Sequence, residues 1–204
     1  MTLPQHTHTY LWAPVLDAIS SSGSDLDVLD LGCGAGAFSL QLAKLGHRVV
    51  GVDLDSSEID RARQAASSTA NAPRFICASS DELQSDCVGT FDLVVSLEVI
   101  EHVFLPSQFA SKIFESLKPG GTAIISTPYH GYLKNLSLAI FDKFDDHFTA
   151  LWDGGHIKFF SQTTLTQLLV QQGFRVVRCL RVGRIPPLAK SLVVIAQRPA
   201  GPLE

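Results

Sequence analysis

Residues 27–42 read DVLDLGCGAGAFSLQL, and the order of residue types in them decides the architecture of the chain. Val28, Leu29 and Leu31 read as the end of a buried strand, whereas Ala37, Phe38, Leu40, Leu42 and Ala43 recur near helical spacing. Between the two stand Gly32, Gly34 and Gly36. A strand that turns through alternating glycines into a helix exposes backbone N–H groups and offers no Cβ to whatever lies against it. A nucleotide-like ligand fits such a turn, and the rest of the chain must say which one.

On either side of this stretch, strand-like and helix-like segments alternate. Arg48–Val52 is followed by a helical pattern over 57–67, and the apolar run 93–96 by one over 107–116. A strand at 122–126 follows the Pro119–Gly120–Gly121 turn. The rhythm predicts an α/β fold, a doubly wound and mostly parallel sheet with helices on both faces. The last two strand patterns, 174–182 and 192–197, are joined by GRIPPLAKS, too short and proline-rich for a helix, so this pair is expected to be antiparallel. Residues 127–160 break the rhythm with an aromatic- and histidine-rich insertion, expected to form a lid over an acceptor site. Residues 1–22 are expected to add a helical cover, with 1–204 forming one domain.

Composition narrows the function. The chain has 204 residues and a formal net charge of −4, which argues against a nucleic-acid partner because such proteins carry a basic stripe. No run of apolar residues is long enough to span a bilayer, and the N-terminus lacks the regions of a signal peptide, so a cytoplasmic protein is expected. Cys33, Cys77, Cys87 and Cys179 include no C-x-x-C pair and read as scattered thiols.

Two ligand classes compete for the glycine turn. GCGAGA formally satisfies the dinucleotide fingerprint, with Asp53 about twenty residues on as the ribose-binding acid. Asp30 discriminates. A carboxylate two positions before Gly32 suits an α-ammonium group and is unwelcome beside a pyrophosphate. A dinucleotide-dependent oxidoreductase is therefore the weaker alternative. At this point the chain resembles the class I S-adenosylmethionine-dependent methyltransferases. VLDLGCGAGAFS is similar to their first motif, VVGVDLD to their second strand and acid, FDLVVSLEVIEHV to their fourth strand and LKPGGTAIIST to their fifth.

The resemblance implies a Rossmann-like seven-stranded sheet of order 3-2-1-4-5-7-6 with strand 7 antiparallel, and S-adenosylmethionine as cofactor, leaving S-adenosylhomocysteine as product. It places Asp30, Gly32 and Gly34 at the methionine end, Asp53 on the ribose and Leu54 on adenine, and counts Leu31, Cys33 and Gly36 among the cofactor-binding residues, Cys33 reading also as a small packing residue of the turn. Ser79 and Ser80 stand where the family often has an acid for the adenine amino group, and Ser96 and Leu97 end the strand beneath the transferred methyl. The insertion motifs STPYHGYLKNLSLAIF and HFTALWDGGHIKFFSQTTL resemble the UbiG branch, the 3-demethylubiquinone 3-O-methyltransferases. That implies a small aromatic hydroxyl acceptor, with Tyr129, His130, Tyr132, Lys134 and Trp152 lining or covering it and Lys134 pairing with a phenolate. The GGHIKFFS ending also occurs in methyltransferases of sugars, lipids and other metabolites.

In LEVIEHV, a helical turn would put Glu98, Glu101 and His102 on one face. Two carboxylates and an imidazole, with His156 returning from the insertion, suit Mg²⁺ or a transition ion. The small-RNA 2′-O-methyltransferases pair a similar E-x-x-E-H segment with a later histidine around Mg²⁺. Resemblance to metal-free class I enzymes implies instead that Glu98 and His102 act as wall, hydrogen-bond partner or base. The apolar LSLAIF reads as a buried lid helix or as a face in weak peripheral contact with a membrane.

Overall fold

The computed structural model describes residues 9–20, 23–82, 89–148 and 151–201. Residues 1–8 and 21–22 of the expected N-terminal cover, 149–150 of the insertion, and Cys87 lie outside the described residues.

Seven strands form one sheet: β1 (Asp27–Leu31), β2 (Arg48–Asp53), β3 (Arg74–Cys77), β4 (Phe91–Leu97), β5 (Leu117–Pro128), β6 (Arg175–Val182) and β7 (Ser191–Gln197). Their order is β3-β2-β1-β4-β5-β7-β6. All pairings are parallel except those of β7 with β5 and β6. The order and the antiparallel final pair agree with the reading from sequence.

The helices are α1 (Trp12–Ser20), α2 (Ala37–Lys44), α3 (Ser56–Ala66), α4 (Pro106–Ser116), α5 (Tyr132–Ile140), α6 (Phe144–Phe148) and α7 (Gln162–Gln171). Strands covered on both faces read as continuous apolar runs, and successive side chains go to opposite layers. Val28, Leu93, Val95, Ile124 and Val193 pack against Phe38 and Leu42 of α2 and against Leu11, Val15 and Ile19. Leu29, Val94, Ile125 and Val194 pack on the other face against Phe109 and Ile113 of α4 and Leu165 and Leu169 of α7. The described part of the segment expected as a cover, residues 9–20, also supplies a core layer, because α1 buries Val15 and Ile19 against the sheet. Its start reaches further: the Tyr10 hydroxyl meets Ser191 Oγ at 2.6 Å.

No described helix is long and apolar enough to cross a membrane. Of the two readings of LSLAIF, the buried helix is the one the structure departs from, since α5 buries none of its residues. It rests beside the short turn Pro186–Leu188 of the β6–β7 connection instead of entering the core.

The three glycines of the turn do different work. All have positive φ, +83° at Gly32, +50° at Gly34 and +75° at Gly36. A Cβ on Gly36 would stand 2.6 Å from Phe75 Cζ and 2.9 Å from Ala62 Cβ, whereas one on Gly34 would meet nothing within 4 Å. Gly36→Ala is thus expected to cost about 2–4 kcal/mol, combining left-handed strain with overpacking. Gly34→Ala should cost about 1–2 kcal/mol from backbone strain alone. Urea unfolding of both variants measures the difference, and equal midpoints would contradict the packing role of Gly36.

Candidate active site

The end of β2 holds the glycine turn. Val52 O accepts from Gly32 N–H at 2.8 Å and from Cys33 N–H at 3.0 Å. Asp53 Oδ2 accepts from Gly34 N–H at 2.8 Å, and Asp53 Oδ1 from Asp55 N–H at 2.9 Å. Each of those oxygens keeps a further lone pair for a diol. Asp30 is buried beneath the turn, where Oδ2 accepts from Ser39 Oγ at 2.5 Å. Burial pushes its carboxyl up to about 6; the Ser39 bond opposes this and the nearby Asp53 charge adds to it. Cys33 is a packing residue: its thiol is raised chiefly by burial, and its sulfur would lie 3.0 Å from a Cβ on Gly51.

A slot of about 260 Å³ opens at the carboxyl ends of β1, β2 and β4, the place where open α/β sheets bind ligands. Of the residues expected around a nucleoside, Leu31, Gly32, Asp53, Leu54, Ser79, Ser80 and Leu97 line it. Leu54 is 77% exposed, an apolar side chain with nothing yet to cover it. Asp30, Cys33, Gly34, Gly36 and Ser96 do not line it; Ser96 is fully buried and its hydroxyl has no hydrogen-bond partner. Val99, Val103, Phe109 and Ala78 also form the wall, and nothing in their apolar character singled them out in the sequence. Val99 explains Gly32, because a Cβ there would fall 2.3 Å from Val99 Cγ2.

A second cavity, of about 440 Å³, lies between α5 and the β6–β7 connection and is lined by Tyr10, Glu98, Lys134, His156, Arg184, Lys190 and their neighbours. Glu98 lines both cavities. It sits at the end of β4 with φ +58°, a conformation uncommon outside glycine and concentrated at functional sites. Ser126 on β5 holds it there: Glu98 N–H donates to Ser126 O at 3.2 Å and to Oγ at 3.0 Å, and Ser126 Oγ donates to Glu98 Oε1 at 2.7 Å. Burial raises the Glu98 carboxyl well above its ordinary range.

The turn Ile100–His102 is 3₁₀ rather than α-helical, and this separates the expected acidic pair. Glu101, His102 and His156 each bring a ligand atom within 4.8 Å of the others, and Glu98 stands outside that set. Glu101 is fully buried, and both its oxygens lack hydrogen-bond partners. Its Oε1 lies 3.9 Å from His102 Nε2 and 3.9 Å from His156 Nε2. Burial, then the Glu98 charge, raises its carboxyl strongly. His102 Nδ1 lies 3.2 Å from Gly155 O; donation there puts the proton on Nδ1 and turns the Nε2 lone pair toward Glu101. Glu101 O also accepts from Ile157 N–H at 2.9 Å and Lys158 N–H at 3.0 Å. The motifs LEVIEHV and GGHIKFF are therefore one structural unit, joined through the backbone.

The residues expected to line or cover the acceptor divide. Lys134 lines the second cavity, and its amine is pulled down to about 8 by burial and by Arg184. Tyr129 and His130 are buried but line neither cavity. Arg181 stacks over the Tyr129 ring at 5.1 Å, and His130 packs among His147, Phe148 and Phe159. Tyr132 is exposed, and Trp152 stands edge-on to His102 at 6.2 Å. Arg184 and Lys190, in a connection that looked like a mere link, were not singled out by sequence; basic residues near both ends of GRIPPLAKS were the available signal.

The sheet order, the glycine turn and the ligand slot at the strand ends define the class I methyltransferase fold. The family described as "Methyltransferase domain" matches residues 5–178, and the chain belongs to it. A ubiquinone biosynthesis O-methyltransferase from Rickettsia conorii is 36% identical over 121 residues, 59% of this chain and 41% of that protein. The one from Caulobacter vibrioides is 36% identical over 114 residues, 56% of this chain and 45% of that protein. The chain thus spans less than half the length of these curated relatives. The magnesium protoporphyrin IX methyltransferase from Synechocystis PCC 6803, solved with bound S-adenosylhomocysteine, superposes with a TM-score of 0.70. It is 22% identical, with 92% of this chain and 80% of that one covered, a likeness of fold alone.

Proposed function

We propose that this chain transfers a methyl group from S-adenosylmethionine to a hydroxyl of a small aromatic acceptor of catechol type. The observation that carries the reading is the position of Glu98, on the wall shared by the nucleoside-sized slot and the second cavity. A displacement at a sulfonium needs its acceptor in line and rid of a proton, and little else. Asp30 meets the methionine ammonium, Asp53 the ribose diol, and Leu54 the base. Glu98, its carboxyl raised by burial, and His102 flank the boundary where the hydroxyl proton must leave. Lys134 faces the developing phenolate.

A second reading adds a divalent cation, favoured by the unpartnered Glu101 carboxylate between two imidazoles. Glu101, His102 and His156 would hold it, and the contact of His102 Nδ1 with a backbone carbonyl is typical of a metal-ligating histidine. Such an ion would lower the pKa of an acceptor hydroxyl. The exposed apolar residues Leu133, Leu136, Ile140 and Phe141 support a peripheral lipid contact of the lid.

Calorimetry with S-adenosylhomocysteine and with NAD, followed by methylation of 3,4-dihydroxybenzoate with and without EDTA, tests the proposal. We expect micromolar binding of S-adenosylhomocysteine, none of NAD, and formation of a methoxy product. Binding of NAD alone would overturn the assignment, and rates untouched by EDTA would remove the cation.

A further inference from the structure

Resting on the methyl-acceptor reading, we infer that the acceptor carries an oxyanion substituent, a carboxylate or a phosphate, gripped by Lys134, Arg184 and Lys190. The chain is acidic overall, at −4, yet this one cavity gathers Lys134, Lys143, Arg184 and Lys190. Lys143 is paired with Asp146 at 2.9 Å. Among the described residues no carboxylate lies within ion-pair distance of the other three. Lys134 Nζ donates to Lys190 O at a long 3.5 Å, and Lys190 Nζ stands 5.1 Å above the Tyr10 ring. The one acid on the wall besides Asp146 is Glu98, which burial biases toward its neutral form.

Arg184 and Lys190 are exposed, whereas Lys134 is half-buried and loses hydration beside the Arg184 charge, a cost that an anion in the cavity removes. The placement is directional. Lys134 comes from the lid helix α5, and Arg184 and Lys190 from the β6–β7 connection, so an anion would bridge the two elements that enclose the cavity. Glu98 and His156 belong to the same lining, and Glu98 lies near enough to Lys134 for each charge to act on the other. An aromatic acceptor with its hydroxyl at Glu98 and its anion at Arg184 and Lys190 satisfies both. The guanidinium of Arg184 suits either oxyanion bidentately, so carboxylate and phosphate share the recognition chemistry.

The test uses the whole chain, with and without S-adenosylhomocysteine, and three ring probes of similar size: benzoate, phenyl phosphate and the neutral benzamide. Calorimetry should show at least one anion binding at least tenfold tighter than benzamide, and the tighter of the two identifies the group. In Arg184→Gln/Lys190→Gln that ratio should fall to within about threefold of unity, with unchanged circular dichroism showing that the variant folds. As a second arm, kcat/KM for 3,4-dihydroxybenzoate should exceed that for its methyl ester at least tenfold. Equal binding of the three probes, no binding of any, or an ester as good as the acid would overturn the inference. Because binding is read without turnover, failure of the methyltransferase reading shows separately, as anion binding with no methylated product.

Discussion

Asp30→Asn is expected to weaken binding of S-adenosylhomocysteine about a hundredfold while making the unliganded protein more stable. The wild-type carboxyl is buried, accepts one bond from Ser39, and is pushed up to about 6. Its raised folded value means that the unliganded native state binds more protons than the unfolded chain between the ordinary 3.8 and about 6. Stability from this group is thus fully present below 3.8 and is lost as pH rises through about 6. Above that the native state carries a buried charge that asparagine removes. A ligand ammonium reverses the balance by stabilising the ionised form. Ligand affinity should therefore rise with pH, reaching a plateau above about 6, and be about tenfold weaker at pH 5 because only about a tenth of Asp30 is ionised there. Ser39 and Asp53 are the other groups that act on this carboxyl. Calorimetry from pH 5 to 8 measures the slope, and the asparagine variant should show none. A wild-type affinity that stays flat with pH would count against contact between Asp30 and the ammonium.

The second large effect is expected at His102. His102→Ala should lower kcat by about 10²–10⁴, the usual contribution of a positioned acid–base group. The KM for S-adenosylmethionine should move less than about threefold, since the ring is one of many residues on the slot wall and its proposed role is at the acceptor hydroxyl. Because the substitution also removes the contact with Gly155, a pH–rate profile is needed beside the rate. Loss of one limb of the profile marks a proton-handling role, whereas a uniform drop marks a displaced loop. A kcat within tenfold of wild type would exclude His102 from the chemistry.

The fold was legible because it is written in short-range patterns. The apolar runs of β4, β5 and β7 are those of strands covered on both faces, and the helix-free GRIPPLAKS imposes the antiparallel final pair. The slot was legible for the same reason, since four of its lining residues stand at strand ends: Asp53 and Leu97 close β2 and β4, and Gly32 and Leu54 come next after β1 and β2. Two details were not. Gly32 and Gly36 make room for Val99 and Phe75, contacts that a local reading cannot distinguish from contacts with a ligand. The second cavity was the least visible, because Tyr10, Glu98, Lys134 and Arg184 come from four distant stretches and meet through topology alone. LEVIEHV misled in one respect, since an ideal helical turn groups Glu98 with Glu101, whereas the left-handed residue at 98 turns its carboxylate to Ser126.

A single carbonyl, that of Glu101, carries both Ile157 and Lys158. That junction ties the short turn bearing His102 to the loop bearing His156, so neither can shift without straining the hydrogen bonds of the other. The two imidazoles beside the Glu101 carboxylate therefore keep their spacing as one rigid piece, although fifty-odd residues separate them in the chain.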